Sequence, residues 1–246
     1  MKINIKSIIF LFSTVFLLFA FTQKKEITAK KVLAKMYKRY AGKWHKNVSF
    51  SQATENFKND SLIKTTQWHE NIVFPDYFRI TFGESKEGNA IIYIKDSSFL
   101  FKNSKLIRSE LRTDDITLLI GGMYFMPLDT AIAKIAKEGF DITKVHESKW
   151  QGKKVYIIGS STDDEKLSQL WIDKEKLVVV RFIKYLPTMK QEAIMTDHKK
   201  MGKSWMETTV IFNLNDKLYQ KEKYYNQKVN TEIDMNLFNI KDFKSK

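Results

Sequence analysis

The sequence predicts a mostly β, α+β protein built on a long antiparallel sheet, with helix confined to two regions. Apolar residues recur at every second position through most of the chain, as half-buried strands require. Polar breaks of hairpin length, such as Lys58-Asn59-Asp60-Ser61 and Lys102-Asn103-Ser104-Lys105, separate those runs. Helical spacing appears only after Thr28 and again between Thr113 and Glu138.

The amino terminus stands apart from this pattern. Lys2 and Lys6 lead into an apolar run from Ile8 to Ala20, with the small residues Ala20 and Thr22 at cleavage-site spacing, the layout of a secretory signal peptide. The run is shorter than the roughly 18 to 20 residues a membrane-spanning helix needs. Residues 1–23 are therefore expected to be removed at Thr22 or Gln23. Residues 24–246 are expected to form one water-soluble domain of the larger all-β kind.

Composition narrows the chemistry. With no cysteine among 246 residues, the chain has no disulfide, thiolate nucleophile, Cys-ligated zinc or lipid-modified cysteine. The net charge of +14 is the excess of 42 basic over 28 acidic residues, and the basic ones are spread along the chain with only short pairs such as Lys153-Lys154 and Lys199-Lys200. Dispersed charge points to a solvated surface that favours anionic headgroups, and not to a nucleic-acid site.

Each element follows from local pattern. Thr28 can cap a helix whose apolar residues Val32, Leu33, Met36, Tyr37 and Tyr40 recur at helical spacing until Gly42 stops it. Period-two runs follow at Asn47 to Phe57, Leu62 to Asn71, Tyr77 to Phe82, Ala90 to Lys95 and Ser98 to Lys102. Thr113 to Tyr124 and Asp129 to Glu138 return to helical spacing, separated by Pro127 and stopped by Gly139. Strands resume at Thr143 to Trp150, Val155 to Gly159, Leu167 to Ile172 and Leu177 to Tyr185. Three more runs, Met189 to His198, Trp205 to Leu214 and Lys217 to Lys228, precede an irregular tail holding Leu237, Phe238 and Phe243. Phe78, Ile80 and Phe82 share one face of their strand, and Met206, Thr208, Val210, Phe212 and Leu214 share a face of theirs. A sheet with one apolar face must close, pack on a second sheet or be covered by helices.

No catalytic constellation emerges. His45, His69, His146 and His198 lack metal-site spacing, and His69 and Glu70, being adjacent on a strand, point to opposite faces. Gly159-Ser160-Ser161 reads as a turn, and Gly121-Gly122 as a hinge or helix break. Asp114-Asp115 and Asp163-Asp164 fall at a helix start and in a loop, where carboxylates serve backbone amides. No metal or cofactor is expected. An aromatic content of 13 % points to a well-filled core or an apolar cavity.

Several stretches, in order, resemble the LolA/LolB-like family. Phe50-Ser51-Gln52 is similar to its Phe-Thr-Gln strand, and Phe74-Pro75-Asp76-Tyr77-Phe78-Arg79 to its proline-led third strand. Asp96-Ser97-Ser98-Phe99-Leu100-Phe101 resembles its Asp-Gly hairpin, Trp171-Ile172-Asp173 with Val178 to Arg181 a later strand pair, and Leu237-Phe238 its closing segment. The resemblance implies an open, half-closed antiparallel β-barrel covered by helices acting as a lid, and a periplasmic carrier of lipoprotein or lipid acyl chains. It further implies a release complex at the inner membrane, an acceptor at the outer membrane, and transient contact with membrane surfaces. An envelope sensor or scaffold of the same fold is the alternative, and an envelope hydrolase a third. Phe74 stands where the well-known carriers have a basic lid-latching residue. On this reading the ligand-facing residues are Met36 and Tyr40, then Phe50, Phe78, Ile80, Phe82, Ile92, Phe99 and Phe101. Leu119, Tyr124, Val210 and Phe212 complete the set.

Overall fold

The computed structural model describes residues 27–112 and 116–243. The expected signal peptide, its cleavage point and Asp114-Asp115 lie outside them.

Helix α1 (Ala29–Tyr40) begins where Thr28 Oγ1 accepts a hydrogen bond from the Lys31 amide at 3.2 Å. It ends before Gly42, whose φ of +70° suits a residue without a side chain. Its buried stripe is Ala29, Val32, Leu33, Met36 and Tyr40. Strands β1 (Asn47–Lys58), β2 (Ser61–Val73), β3 (Tyr77–Phe82), β4 (Ala90–Ile94), β5 (Ser97–Lys102) and β6 (Lys105–Leu111) then run as a meander. The β1–β2 and β5–β6 connections are Asn59-Asp60 and Asn103-Ser104, pairs with φ between +49° and +62° that match the right-handed strand twist.

Short helix α2 (Ile116–Leu119), a 3₁₀ turn (Gly122–Phe125) and α3 (Leu128–Lys137) follow. The single helix expected from Thr113 to Tyr124 is broken at Gly121, which lies under the Trp44 indole. A Cβ there would fall 2.2 Å from Trp44 Nε1. A second run comprises β7 (Val145–Trp150), β8 (Lys153–Ile158), β9 (Gln169–Asp173), β10 (Val179–Leu186) and β11 (Met189–Thr196). After a small hairpin, β12 (Lys199–Met201) and β13 (Ser204–Met206), come β14 (Thr209–Leu214) and β15 (Lys217–Val229).

Thirteen strands form one sheet in the order β6-β5-β4-β3-β2-β1-β15-β14-β11-β10-β9-β8-β7, antiparallel at every pairing. Its ends, β6 and β7, do not pair, so the sheet is an open, half-closed barrel. Two differences from the sequence reading shape the interior. Lys105–Leu111 forms an edge strand whose residues are all exposed, so no alternation announced it. The run from Trp205 to Leu214 is interrupted at Glu207 and Thr208, where the small hairpin leaves the sheet.

The helices cover part of the concave face. Tyr40 Oη donates to the Lys176 carbonyl, Tyr37 Oη to the Met126 carbonyl at 3.0 Å, and Lys35 Nζ to Tyr156 Oη at 3.2 Å. These bonds hold α1 over β8, the β9–β10 turn and the segment before α3. A second, smaller core lies on the convex side of β3–β5. There the tail places Phe238 and Phe243 against Ile92 and Phe101, with the Phe101 and Phe243 rings stacked 4.0 Å apart.

Candidate ligand-binding cavity

Where the helices leave the concave face uncovered, the sheet encloses a cavity of about 520 Å³. That lies within the roughly 300 to 1,000 Å³ of small-molecule sites. Strand alternation supplies its walls. Val48 and Phe50 come from β1, Ile72 from β2, and Phe78, Ile80 and Phe82 from β3. Ile91 and Tyr93 of β4 and Val210, Phe212 and Leu214 of β14 continue the lining, and Ile116 and Ile120, in and just after α2, close one side.

Cross-strand pairing decides which expected residues reach this space. Directly opposed residues share a face, so Ile80, paired with Ile91, points inward beside it. Arg79 pairs with Ile92, and Ile92 with Phe99, on the other face. Ile92, Phe99 and Phe101 are thus corrected to the convex core beneath the tail, because β4 is apolar on both faces and its sequence left the phase open. Met36, Tyr40, Leu119 and Tyr124 are buried in the filled core between the helices and the sheet and do not line the cavity. Phe50, Phe78, Ile80, Phe82, Val210 and Phe212 are brought together around it.

The polar lining was not anticipated. Glu70 from β2, Glu222 from β15 and Glu207 from the interruption before β14 all face the cavity. Glu222 accepts from Tyr224 Oη at 2.7 Å and from Gln220 Nε2 at 2.5 Å. Burial, with Glu222 and Glu207 as like-charged neighbours, pushes the Glu70 carboxyl well above the usual range. Burial also raises Glu222, and it pushes Glu207 up to about 7. The alternation Gln220, Glu222, Tyr224 was visible in sequence, but polar residues on both faces of β15 concealed which one turned inward.

Elsewhere on the wall, His45 Nδ1 lies 2.7 Å from Ser204 Oγ, and burial lowers its pKa to about 4, so the ring is neutral. The Arg112 guanidinium lies over the Tyr93 ring at 4.7 Å. His69 points away from Glu70, to Ser51 Oγ at 2.9 Å, as adjacent strand residues must. Among the described residues no group of three His, Cys, Asp or Glu side chains is placed to hold a metal. No described helix is long and apolar enough to cross a membrane.

No family model matches the chain, and no curated protein matches it in sequence. Solved structures do match its shape. A DUF1329 family protein from Desulfovibrio piger superposes with a TM-score of 0.62 at 12 % identity, covering 88 % of this chain and 98 % of that one. A LolA superfamily protein from Nitrosomonas europaea gives a TM-score of 0.57 at 12 % identity over 87 % of this chain and 98 % of its own. The fold is LolA-like. A domain from Vibrio parahaemolyticus described as outer membrane lipoprotein-sorting agrees, with a TM-score of 0.56 at 12 % identity, covering 85 % and 95 % of the two chains. Near-complete coverage means the LolA-like fold accounts for the strands on both sides of the helical segment. The structure also places a cavity on the concave side of that fold.

Proposed function

We propose that this protein is a periplasmic carrier that shields the acyl chain of a lipoprotein or another lipid from water. The observation that carries this reading is the apolar cavity of about 520 Å³ on the concave face of an open sheet. Each methylene it takes from water contributes about 0.8 kcal/mol, so a single chain held there competes with a membrane for its ligand. Release follows when the helices or the open edge of the sheet move. The lipoprotein-sorting description of one structural neighbour and the signal-like amino terminus support export and carriage.

The test pairs uptake of a fluorescent acyl probe with thermal unfolding for Ile80→Leu, Ile80→Thr and Ile80→Glu. Ile80 lines the cavity and is only partly buried, so Thr and Glu should depress uptake before they depress the melting temperature. Phe101→Leu, in the convex core, should lower stability and leave uptake of the folded fraction unchanged. Parallel loss of both quantities across the Ile80 series would sink the reading. Transfer of the bound probe from one vesicle population to another then separates a carrier from a sensor that binds and does not deliver.

A further inference from the structure

Glu70, in the lining at one end of the cavity, and Gln52 Oε1, in the strand wall beside it, are acceptors that nothing among the described residues satisfies. Glu70 is 5 % exposed and faces the cavity, yet no hydrogen bond or ion pair reaches its carboxylate among the described residues. Gln52 is 0 % exposed, and its Oε1 has no partner, while its Nε2 donates to Thr54 Oγ1 at 2.9 Å. The two lie on one face of the sheet. Glu70 opposes Phe50, and Gln52, two residues along β1, opposes Trp68 and Tyr224 of the lining. That makes Glu70 and Gln52 diagonal neighbours, about 7 to 8 Å apart at the backbone and closer at the side chains. Glu222 and Glu207 stand beside them, with no ion pair to either among the described residues.

Buried polar groups are ordinarily hydrogen-bonded, and leaving an acceptor unpaired costs about 1 to 3 kcal/mol, more when it is charged. A fold with 42 basic residues could have brought a lysine here and did not. What the site lacks is a compact cation with several N–H donors. The aromatic faces around it, Trp68 and the Phe50–Tyr224 pair with ring centres 4.4 Å apart, suit such a cation as well.

We infer that this end of the cavity seats a primary ammonium group, so that the ligand is an amphiphile with an aliphatic body and an amine head. The inference rests on the reading of the cavity as a chain-binding site and adds the chemistry of the head. The ammonium brings the positive charge that returns Glu70 to the carboxylate and donates to it, with Gln52 Oε1 the neighbouring acceptor one diagonal step along β1, and the chain lies along Ile80, Ile91 and Phe212. A quaternary ammonium has the charge and lacks the donors, so it satisfies neither acceptor.

Isothermal titration calorimetry at pH 7.5 with dodecylamine, dodecanol, dodecanoic acid, dodecyltrimethylammonium and butylamine tests this. Dodecylamine should bind about tenfold tighter than dodecanol, the worth of one hydrogen bond to a charged group. It should also exceed dodecyltrimethylammonium, and butylamine should bind weakly. Glu70→Gln keeps the shape and should bring amine and alcohol within about twofold while the chain still binds. If that variant fails to fold by its thermal transition, Glu70→Met, which removes the same carboxyl together with its desolvation cost, carries the same comparison. Alcohol or acid binding as tightly as the amine would overturn the inference and leave the acyl-chain reading standing. So would equal binding of dodecyltrimethylammonium, or a preference for amine that survives both substitutions. Failure of every dodecyl compound to bind, or butylamine binding as tightly as dodecylamine, would overturn the chain-binding reading and the inference with it.

Discussion

Burial, reinforced by Glu222, pushes the Glu207 carboxyl up to about 7, against an ordinary value of 4.5. The folded state therefore holds this proton more tightly than the unfolded chain does. The stability that follows is fully present below about pH 4.5 and is lost as pH rises through about 7. His45 and His198 act in the opposite sense. Burial lowers both to about 4, so their contribution is present above about 6.5 and is lost as pH falls through about 4. The wild-type profile mixes the two, and Glu207→Gln separates them. The difference in melting temperature, variant minus wild type, should climb between pH 4.5 and 7 and level off above 8. A difference that does not vary with pH would show that Glu207 titrates as an exposed glutamate. At this scale sequence was least informative. Ile91 and Ile92 are chemically identical, and only the register with Ile80 and Arg79 tells which enters the cavity. Glu70 was recognisable as opposite in direction to His69, but a single strand does not say which side is inside.

Helix α1 was legible because it carries three independent signals at once: a Thr28 cap, an apolar stripe at helical spacing and a glycine stop. The hairpins were legible for a similar reason, since Asn59-Asp60 and Asn103-Ser104 tolerate the positive φ that a two-residue connection demands. Strand β6 was missed because a strand exposed on both faces loses the alternation by which strands are recognised. The division between filled core and cavity depends on where the helices dock, which local pattern does not encode. Met36, 1 % exposed, marks the centre of that docking. Met36→Ala should lower stability by about 2 to 5 kcal/mol, the cost of removing a large buried side chain with partial relaxation. Lys38→Ala, on the exposed side of the same helix, should stay within about 0.5 kcal/mol. Urea denaturation of the pair decides. Equal and small effects would mean that α1 is not an integral cover of the sheet.

The whole molecule is two meanders joined along one seam, where Val48 to Asn56 of β1 meet Gln220 to Val229 of β15 across most of the intervening fold. Neighbouring strands could be read from the order of hairpins, whereas that seam closes only after both halves exist, so no local signal announces it. The seam also brings Glu70, Gln52 and Glu222 onto one inner surface, while the chain as a whole carries a net charge of +14. Outer lysines near an anionic surface contribute about 1 kcal/mol each, and the attraction reaches only about 10 Å at 0.1 M salt. A protein held to membranes this way touches them and lets go, without inserting apolar surface. The protein should therefore sediment with vesicles containing anionic phospholipid at low ionic strength, ignore vesicles of neutral phosphatidylcholine, and leave the pellet at about 1 M salt, where the screening length falls to about 3 Å. Glu70→Gln changes the inside alone, so it should leave this profile unaltered while changing head-group preference in the cavity. Binding that persists at high salt, or that is equal on neutral vesicles, would mean that apolar surface enters the bilayer and that the charge of the shell is incidental to contact.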